Sequence, residues 1–271
     1  MAADAAEPVA SGPETRPARR RGGVLGARLG WTGLSLLGFG LVWATLAALI
    51  GSDELPGPVA VWEALLVQIR TDGYLGHLGA TLARVAAAFG LAMVLGSALG
   101  LALGRSAALD RAFGGWLTLF LNLPALVTII LCYVWFGLTE AAALAAVAVN
   151  KIPNVAATLR EGARALSRDL DEMAEVHRLS RLDRLRHVVL PQLAPFFAVA
   201  ARNGLALVWK IVLVVELLGR PNGVGFQLHS YFQLFDVATI LAYAFGFILV
   251  VQAIELLILE PWERRATRWR R

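Results

Sequence analysis

TLARVAAAFGLAMVLGSALGLALG, residues 81–104, is a run of 24 residues whose one charged side chain is Arg84. A bilayer core about 30 Å thick is crossed by ~20 apolar residues in a helix, and backbone in lipid must satisfy its own hydrogen bonds. The stretch therefore reads as a membrane-spanning helix. Gly96, Gly100 and Gly104 recur every four residues, which lines them on one face and lets a neighbouring backbone come close. Outward from this run lie five more apolar stretches, residues 31–50, 113–136, 140–157, 193–218 and 237–259. Pro124 removes one helix hydrogen bond and predicts a kink in the 113–136 span. Residues 59–69, entered through Pro56-Gly57-Pro58, predict a short amphipathic helix outside the spans. The chain is 58% hydrophobic with mean hydropathy +0.63, above the ~45–50% of soluble domains. The fold class is all-α, a polytopic membrane protein with about six transmembrane helices.

The basic residues give this arrangement a direction. With the N-terminus in the cytoplasm, Arg16, Arg19, Arg20, Arg21, Arg28, Arg105, Arg111, seven arginines from Arg160 to Arg186 and five from Arg264 to Arg271 all fall on the cytoplasmic side. That is 19 of the 25 Lys and Arg, against Arg70 and Arg220 outside and Arg84, Lys151, Arg202 and Lys210 within spans. An excess of this kind is what the positive-inside rule demands, and an odd number of spans would scramble it. Both termini are thus expected in the cytoplasm. Residues 1–28 read as a disordered tail, 29–262 as the transmembrane domain and 263–271 as a basic tail. The net charge of +5 reflects arginines beside apolar segments, which suits a membrane surface and not nucleic acid. The lone Cys132 excludes an internal disulfide and a cysteine-built zinc site, and His77, His177, His187 and His229 show no metal-ligand spacing.

The segment between the fourth and fifth spans, residues 158–191, carries its own structure. Leu166, Leu170, Met173, Ala174, Val176, Leu179, Leu182, Leu185 and Val189 recur at roughly helical spacing among acids and arginines. Asp169 with Glu172, and Ser180 with Asp183, read as two helix N-caps with reciprocal partners. The expectation is two short amphipathic helices joined near Arg178 and closed by Leu190-Pro191. A structured connection of this length is uncommon unless it has a task, such as lying on lipid or docking into a partner's groove.

The run Asp171-Glu172-Met173-Ala174, then Leu179-Ser180, then Val188-Val189-Leu190-Pro191 resembles the coupling loop of bacterial ABC-importer permeases. Glu172 takes the Glu of that family's Glu-Ala-Ala signature, Met173 and Ala174 take the two Ala positions, and Leu190-Pro191 the closing pair. Arg178 falls where the family has Gly. Leu55-Pro56-Gly57-Pro58 with Trp62, Thr81-Leu82-Ala83-Arg84, Trp135-Phe136-Gly137 and Gly223-Val224-Gly225 are similar to the nitrate/sulfonate/taurine-type subfamily. The resemblance implies one of two identical permease subunits, each seating its coupling helix in a cytoplasmic ATPase while a periplasmic binding protein delivers a small solute, an anion such as a sulfonate, taurine or nitrate. It assigns ATPase coupling to Asp169, Glu172, Met173, Ala174, Arg178, Leu179, Ser180, Leu190 and Pro191. The chain itself has no Gly-x-x-x-x-Gly-Lys-Ser/Thr loop to cradle phosphates, so no catalysis and no cofactor is expected in it, and ATP belongs to the partner.

Several residues carry two readings. Glu172 is a contact to the ATPase, the capping partner of Asp169, or both, the mixed role being the working expectation. Gly tolerates positive φ and Arg does so poorly, so the turn at Arg178 is rebuilt or strained, or the first helix is slightly longer; the last is the working expectation. Ionisable residues within spans are functional hypotheses because burial is costly. Arg84, Lys151 and Arg202 lie near enough to span ends to snorkel or pair, while Lys210 is deeper. Lys151, Asn154, Asn203, Lys210 and Glu216 form a candidate translocation path, lysine being a compact, releasable contact for an anion; alternatively Lys210 neutralises Glu216. The loop holding Gly219, Pro221, Asn222, Gly223 and Gly225 is an outer gate, a dock or a simple connection. Rival classes are a stand-alone secondary transporter or channel and a membrane scaffold.

Overall fold

The computed structural model describes residues 21–71 and 73–261. The expected N-terminal tail up to residue 20 and the basic tail 263–271 lie outside the described residues. Eleven α-helices follow in order among those described: α1 (Arg21–Ile50), α2 (Pro58–Thr71), α3 (Tyr74–Arg105), α4 (Ala107–Leu121), α5 (Ala125–Phe136), α6 (Glu140–Arg164), α7 (Arg168–Val176), α8 (Arg181–Arg184), α9 (Leu190–Gly219), α10 (Val224–Gln233) and α11 (Val237–Ile254). A π-helical turn, Leu185–Val189, joins α8 to α9, and a second, Glu255–Leu259, continues α11. The chain forms two units, residues 1–51 and 52–271. The first contains α1, whose Gly33–Ile50 window has mean hydropathy 2.0. The second unit holds α2 to α11.

Helix α6 is its centre. Ala142, Ala143, Ala146, Val147, Val155, Ala156 and Leu159 are buried along its length, and α3, α5 and α9 pack around it. The three glycines of α3 make the closest of these contacts. A methyl at Gly96 would lie 2.7 Å from Val155 Cβ, one at Gly100 2.5 Å from the Ala156 carbonyl oxygen, and one at Gly104 2.5 Å from Ala163 Cβ. The four-residue spacing thus lets two backbones touch, as expected. Clusters of Val155, Leu159, Val189, Leu193 and Ala200, and of Leu103, Leu117 and Ala156, fill the space to α9 and α4.

Five described helices are long and apolar enough to cross a membrane, and the α4–α5 pair, bent by 97°, makes a sixth if counted as one span. Ion pairs show that it runs from one end of the bundle to the other. Near the start of α4, Asp110 accepts from Arg160 (3.2 Å) and Arg164 (2.5 Å) at the end of α6. After α5, Glu140 at the start of α6 accepts from Arg84 (2.7 Å) and Arg220 (2.8 Å). The ends of a 25-residue helix are ~37 Å apart, a bilayer's thickness.

Several boundaries differ from those read in the sequence: α1 and α3 start early, at Arg21 and Tyr74 instead of residues 31 and 81. The 113–136 span is two helices, not one kinked helix. Asn122 turns back on α4 through its backbone N–H to Leu119 and its amide to the Thr118 carbonyl (2.8 Å), and Pro124 is extended at ψ 131°. The connection left between the 81–104 and 113–136 stretches, holding Arg105 and Arg111, shrinks to Ser106, whose hydroxyl caps α4 by accepting from the Leu109 N–H. The fourth span continues past residue 157 to Arg164, because Asp110 and Glu161 pair the arginines of its last turn. Leu190-Pro191 does not close a helix. Pro191 follows a π turn closed by the Leu190 N–H on the Leu185 carbonyl, and the helix runs on from α8 into α9. The expected helix at 59–69 is α2.

Gly100→Val is expected to lower the stability of the purified protein by about 1–3 kcal/mol through overpacking, seen as a lower thermal midpoint. Gly90→Ala on the same helix, where a methyl meets nothing within 4 Å, should leave the midpoint unchanged or raise it.

Candidate functional site

Between α6 and α9 the chain builds a small braced helix. Ser167 starts α7 by accepting from the Leu170 N–H (3.4 Å), and its own N–H donates to Gln192 Oε1 on α9 (2.9 Å). The expected cap, Asp169, lies instead in the first turn, because Ser167 captures the free N–H two residues earlier; there its charge faces the positive end of the helix. Ser180 caps α8 as expected, accepting from Asp183 N–H (3.1 Å) and donating to its carboxylate (2.6 Å).

The turn between the two helices is a Schellman motif. Leu179 N–H donates to Ala174 O (3.0 Å) and Arg178 N–H to Glu175 O (2.9 Å), with Arg178 at φ 49°. The first helix is therefore not longer than in the family pattern. Arg178 adopts the left-handed conformation that the glycine would have occupied, and it is strained.

Asp171 is the brace. It accepts from Arg184 Nε on α8 (3.2 Å) and from Arg105 Nη2 at the end of α3 (3.4 Å), while Arg184 also reaches Glu175 (3.3 Å). The Arg184 hydrogen bond, helped by the Arg105 charge, holds the Asp171 carboxyl below the usual carboxylate range. Ala174 is buried beneath the helix, whereas Glu172, Met173, Val176, Leu179 and Leu182 are exposed. Glu172 makes no ion pair or hydrogen bond to any described residue; with Asp169 out of the cap position, its reading as a capping partner falls. The segment thus presents a mixed apolar and acidic face, held from behind by α3, α8 and α9.

The intramembrane polar residues separate into three groups. Glu216 leaves the candidate path. It is wholly buried, accepting from Arg84 Nη1 (2.7 Å), Thr81 Oγ1 (2.9 Å) and Gly225 N–H (2.9 Å), so Lys210 does not neutralise it. Arg84 also donates to the Asn222 carbonyl (2.9 Å) and side-chain oxygen, Thr81 accepts from Val224 N–H (2.8 Å) and His77 Nδ1 accepts from Gly223 N–H (3.0 Å). This network pins the Gly/Pro-rich loop. Gly223, at φ 113°, has no room for a side chain because a methyl would run into the Glu216 carboxylate. His77, Thr81 and Arg84 share one face of α3, a spacing visible in sequence; their partners 132 to 146 residues away were not.

The second group faces outward: Arg202, Asn203 and Lys210 are exposed on α9. Arg202 and Lys210 line a groove of about 300 Å³ against α11, with Trp209, Phe247, Gln252 and Glu255. The third is on α6. Asn150, Asn154 and Thr158 each donate to the carbonyl four residues back (2.9, 3.0 and 3.1 Å), and Lys151 is 2% exposed at mid-helix. The sequence placed Lys151 near a span end and Lys210 deep; extension of α6 to Arg164 puts Lys151 at mid-helix, while Lys210 keeps its place along α9 but faces outward.

A family model described as "Binding-protein-dependent transport system inner membrane component" matches residues 92–259, which include the braced segment. The chain belongs to this family. The permease is 27% identical over 251 residues to an ABC transporter permease of Brucella melitensis, covering 90% of this chain and all of that one. It is 27% identical to the taurine transport permease TauC of Escherichia coli (84% and 85% covered) and 25% identical to the nitrate import permease NrtB of Synechococcus elongatus (68% and 70%). Its fold matches an inward-facing structure of the MetNI methionine ABC transporter (TM-score 0.56, 20% identity, 69% and 91% covered). An amino acid ABC transporter solved with histidines gives TM-score 0.57 at 21% identity, with 74% and 98% covered. The protein is thus the permease component of an ABC importer, a multi-pass membrane protein and a transport subunit.

Two outcomes follow for the permease. Arg178→Gly relieves the left-handed strain and should stabilise the α7–α8 turn by about 1 kcal/mol, read as slower amide exchange in α7. Because the Asp171 carboxyl is depressed when folded, its stabilisation is complete above the unfolded value near ~3.9 and fades as pH falls through the folded one. Exchange in α7 should rise only in that acid range, whereas Asp171→Asn should raise it already at neutral pH.

Proposed function

We propose that the permease carries a small anion across the bacterial inner membrane as one of two identical subunits. A periplasmic binding protein delivers the solute, and cytoplasmic ATPase subunits supply the energy by seating against α7. ATP binds and is hydrolysed on those partners. The observation that carries this reading is the exposed face of α7 and the turn after it. An apolar and acidic surface that the chain braces from behind with Arg105, Arg184 and Gln192 is suited to bear load from a partner. Asp169, Glu172, Met173, Arg178, Leu179 and Ser180 present it, Ala174 packs beneath it, and Leu190 and Pro191 join it rigidly to α9.

The distribution of basic residues supports a cytoplasmic position for this face and both termini. An anionic solute is supported by relatives named for taurine and nitrate and by cationic side chains at membrane depth. Asn203 and Lys210 on the exposed stripe of α9, with Lys151 and Asn154 on α6, would line the route between the two copies. Movement arises because ATP-bound and ATP-free partners favour different positions of α7, shifting the bundle between two packings.

Glu172→Lys combined with Val176→Asp should abolish co-purification of the ATPase and ATP-driven uptake while leaving the thermal midpoint of the isolated permease unchanged. Undiminished co-purification would contradict the docking assignment.

A further inference from the structure

Charge burial in this bundle follows a rule with one exception. Arg84 and Glu216, both buried, neutralise each other and have further hydrogen bonds to Glu140, Asn222, Thr81 and Gly225. Lys151, equally buried, has no ion pair or hydrogen bond to any described residue. Its position, midway between Glu140 and Arg164, puts its Cα ~16–20 Å from either helix end, beyond the reach of a lysine side chain along the helix. An uncompensated charge at that depth is expensive, and such residues mark pathways.

The surroundings of Lys151 show how it could be uncovered. Its side chain ends against Gly204 of α9. A methyl there would lie 2.9 Å from Lys151 Cε, 3.5 Å from Nζ and 3.3 Å from the Phe89 ring. The ammonium is therefore stowed in the space left by a missing side chain, at the crossing of α6 and α9. Asn203, next to Gly204, is exposed, and Asn154 lies one turn from Lys151. A small parting of α6 from α9 would bring the ammonium out beside both amides; their closing leaves no room for a counter-ion.

We propose that Lys151 is the anion-selecting group of the permease. With the helices parted, its ammonium pairs with the negative oxygens of the solute, an oxyanion or the sulfonate or carboxylate end of a small organic molecule. On closure the lysine returns to the Gly204 notch and the anion is expelled. A compact ammonium suits such a transient pairing better than the planar fork of arginine. The inference rests on the anion reading above and assigns the selecting charge to Lys151 instead of the exposed Lys210.

The test uses the whole transporter, with its ATPase and binding protein, in proteoliposomes offered nitrate, methanesulfonate or taurine. For the anion that the wild type accumulates, Lys151→Met should cut uptake at least tenfold while the complex still assembles, and Lys151→Arg should retain more uptake than the methionine variant. If the lysine were only a packed remnant, methionine would fill its place and transport would persist. A second measurement needs no variant. Lysine occurs only at 151 and 210, so amine acetylation read by mass spectrometry resolves each site. Lys151 should be unreactive at rest, acetylated during ATP turnover, and protected by the transported anion at concentrations that leave Lys210 labelling unchanged. Uptake by Lys151→Met within twofold of wild type, or acetylation of Lys151 indifferent to the anion, overturns the assignment. A wild-type complex that assembles and hydrolyses ATP but accumulates only neutral or cationic solutes overturns the anion reading together with it.

Discussion

The close approach of α3 to α6 is the constraint on which the rest of the structure depends. Lipid tails are as apolar as leucine, so helices in a membrane gain little from hydrophobic burial and are held by packing and polar contacts. Gly96, Gly100 and Gly104 let the α3 backbone lie on Ile152, Val155, Ala156 and Ala163. That contact sets the register of the two helices, and the register sets both ends. At one, Arg84 meets Glu140 and Glu216; at the other, Arg105 reaches Asp171 while α6 presents Arg160 and Arg164 to Asp110. Slide α3 by one turn and both clusters come apart.

The two ends are built for different purposes. The Arg84 cluster is dense in hydrogen bonds and centred on a carboxylate with no exposed surface. Breaking such a pair leaves a stranded charge, at about 3–5 kcal/mol, so the Gly219–Gly225 region is fastened, not loose. The Asp171 cluster is part-exposed and made of longer contacts, of 3.2 to 3.4 Å. Exposed pairs of this kind are worth about 1 kcal/mol or less each. They orient α7 without welding it, which suits a segment that passes force to the spans through α3 and the unbroken α8–α9 helix.

Much of this was legible in the chain. The order of the apolar helices, the glycine stripe and the Ser180-Asp183 cap follow from local spacing and recur in the structure. What was hidden depended on contacts distant in sequence or on competition between neighbours. Pro124 announced a kink, but the right-angle break needed Asn122 to turn back on Thr118. Asp169 looked like a cap until Ser167 took the N–H first. Pro191 read as a terminator, yet a π turn carries the helix past it into α9. Glu216 read as a path residue since nothing nearby foretold Arg84, 132 positions earlier. Arg178 alone was misread against a correct alternative: the strained turn was among the readings weighed, and the strain is real.

The central claim is that α7 moves as one body with the inner ends of α3 and α9. The direct measurement is the distance between spin labels at Arg168 on α7 and Ala102 on α3, with Cys132 replaced, in the assembled transporter with and without trapped nucleotide. The account predicts the same distance within each permease in both states, while the corresponding distance between the two copies changes. A shift of α7 relative to α3 within one permease would contradict it.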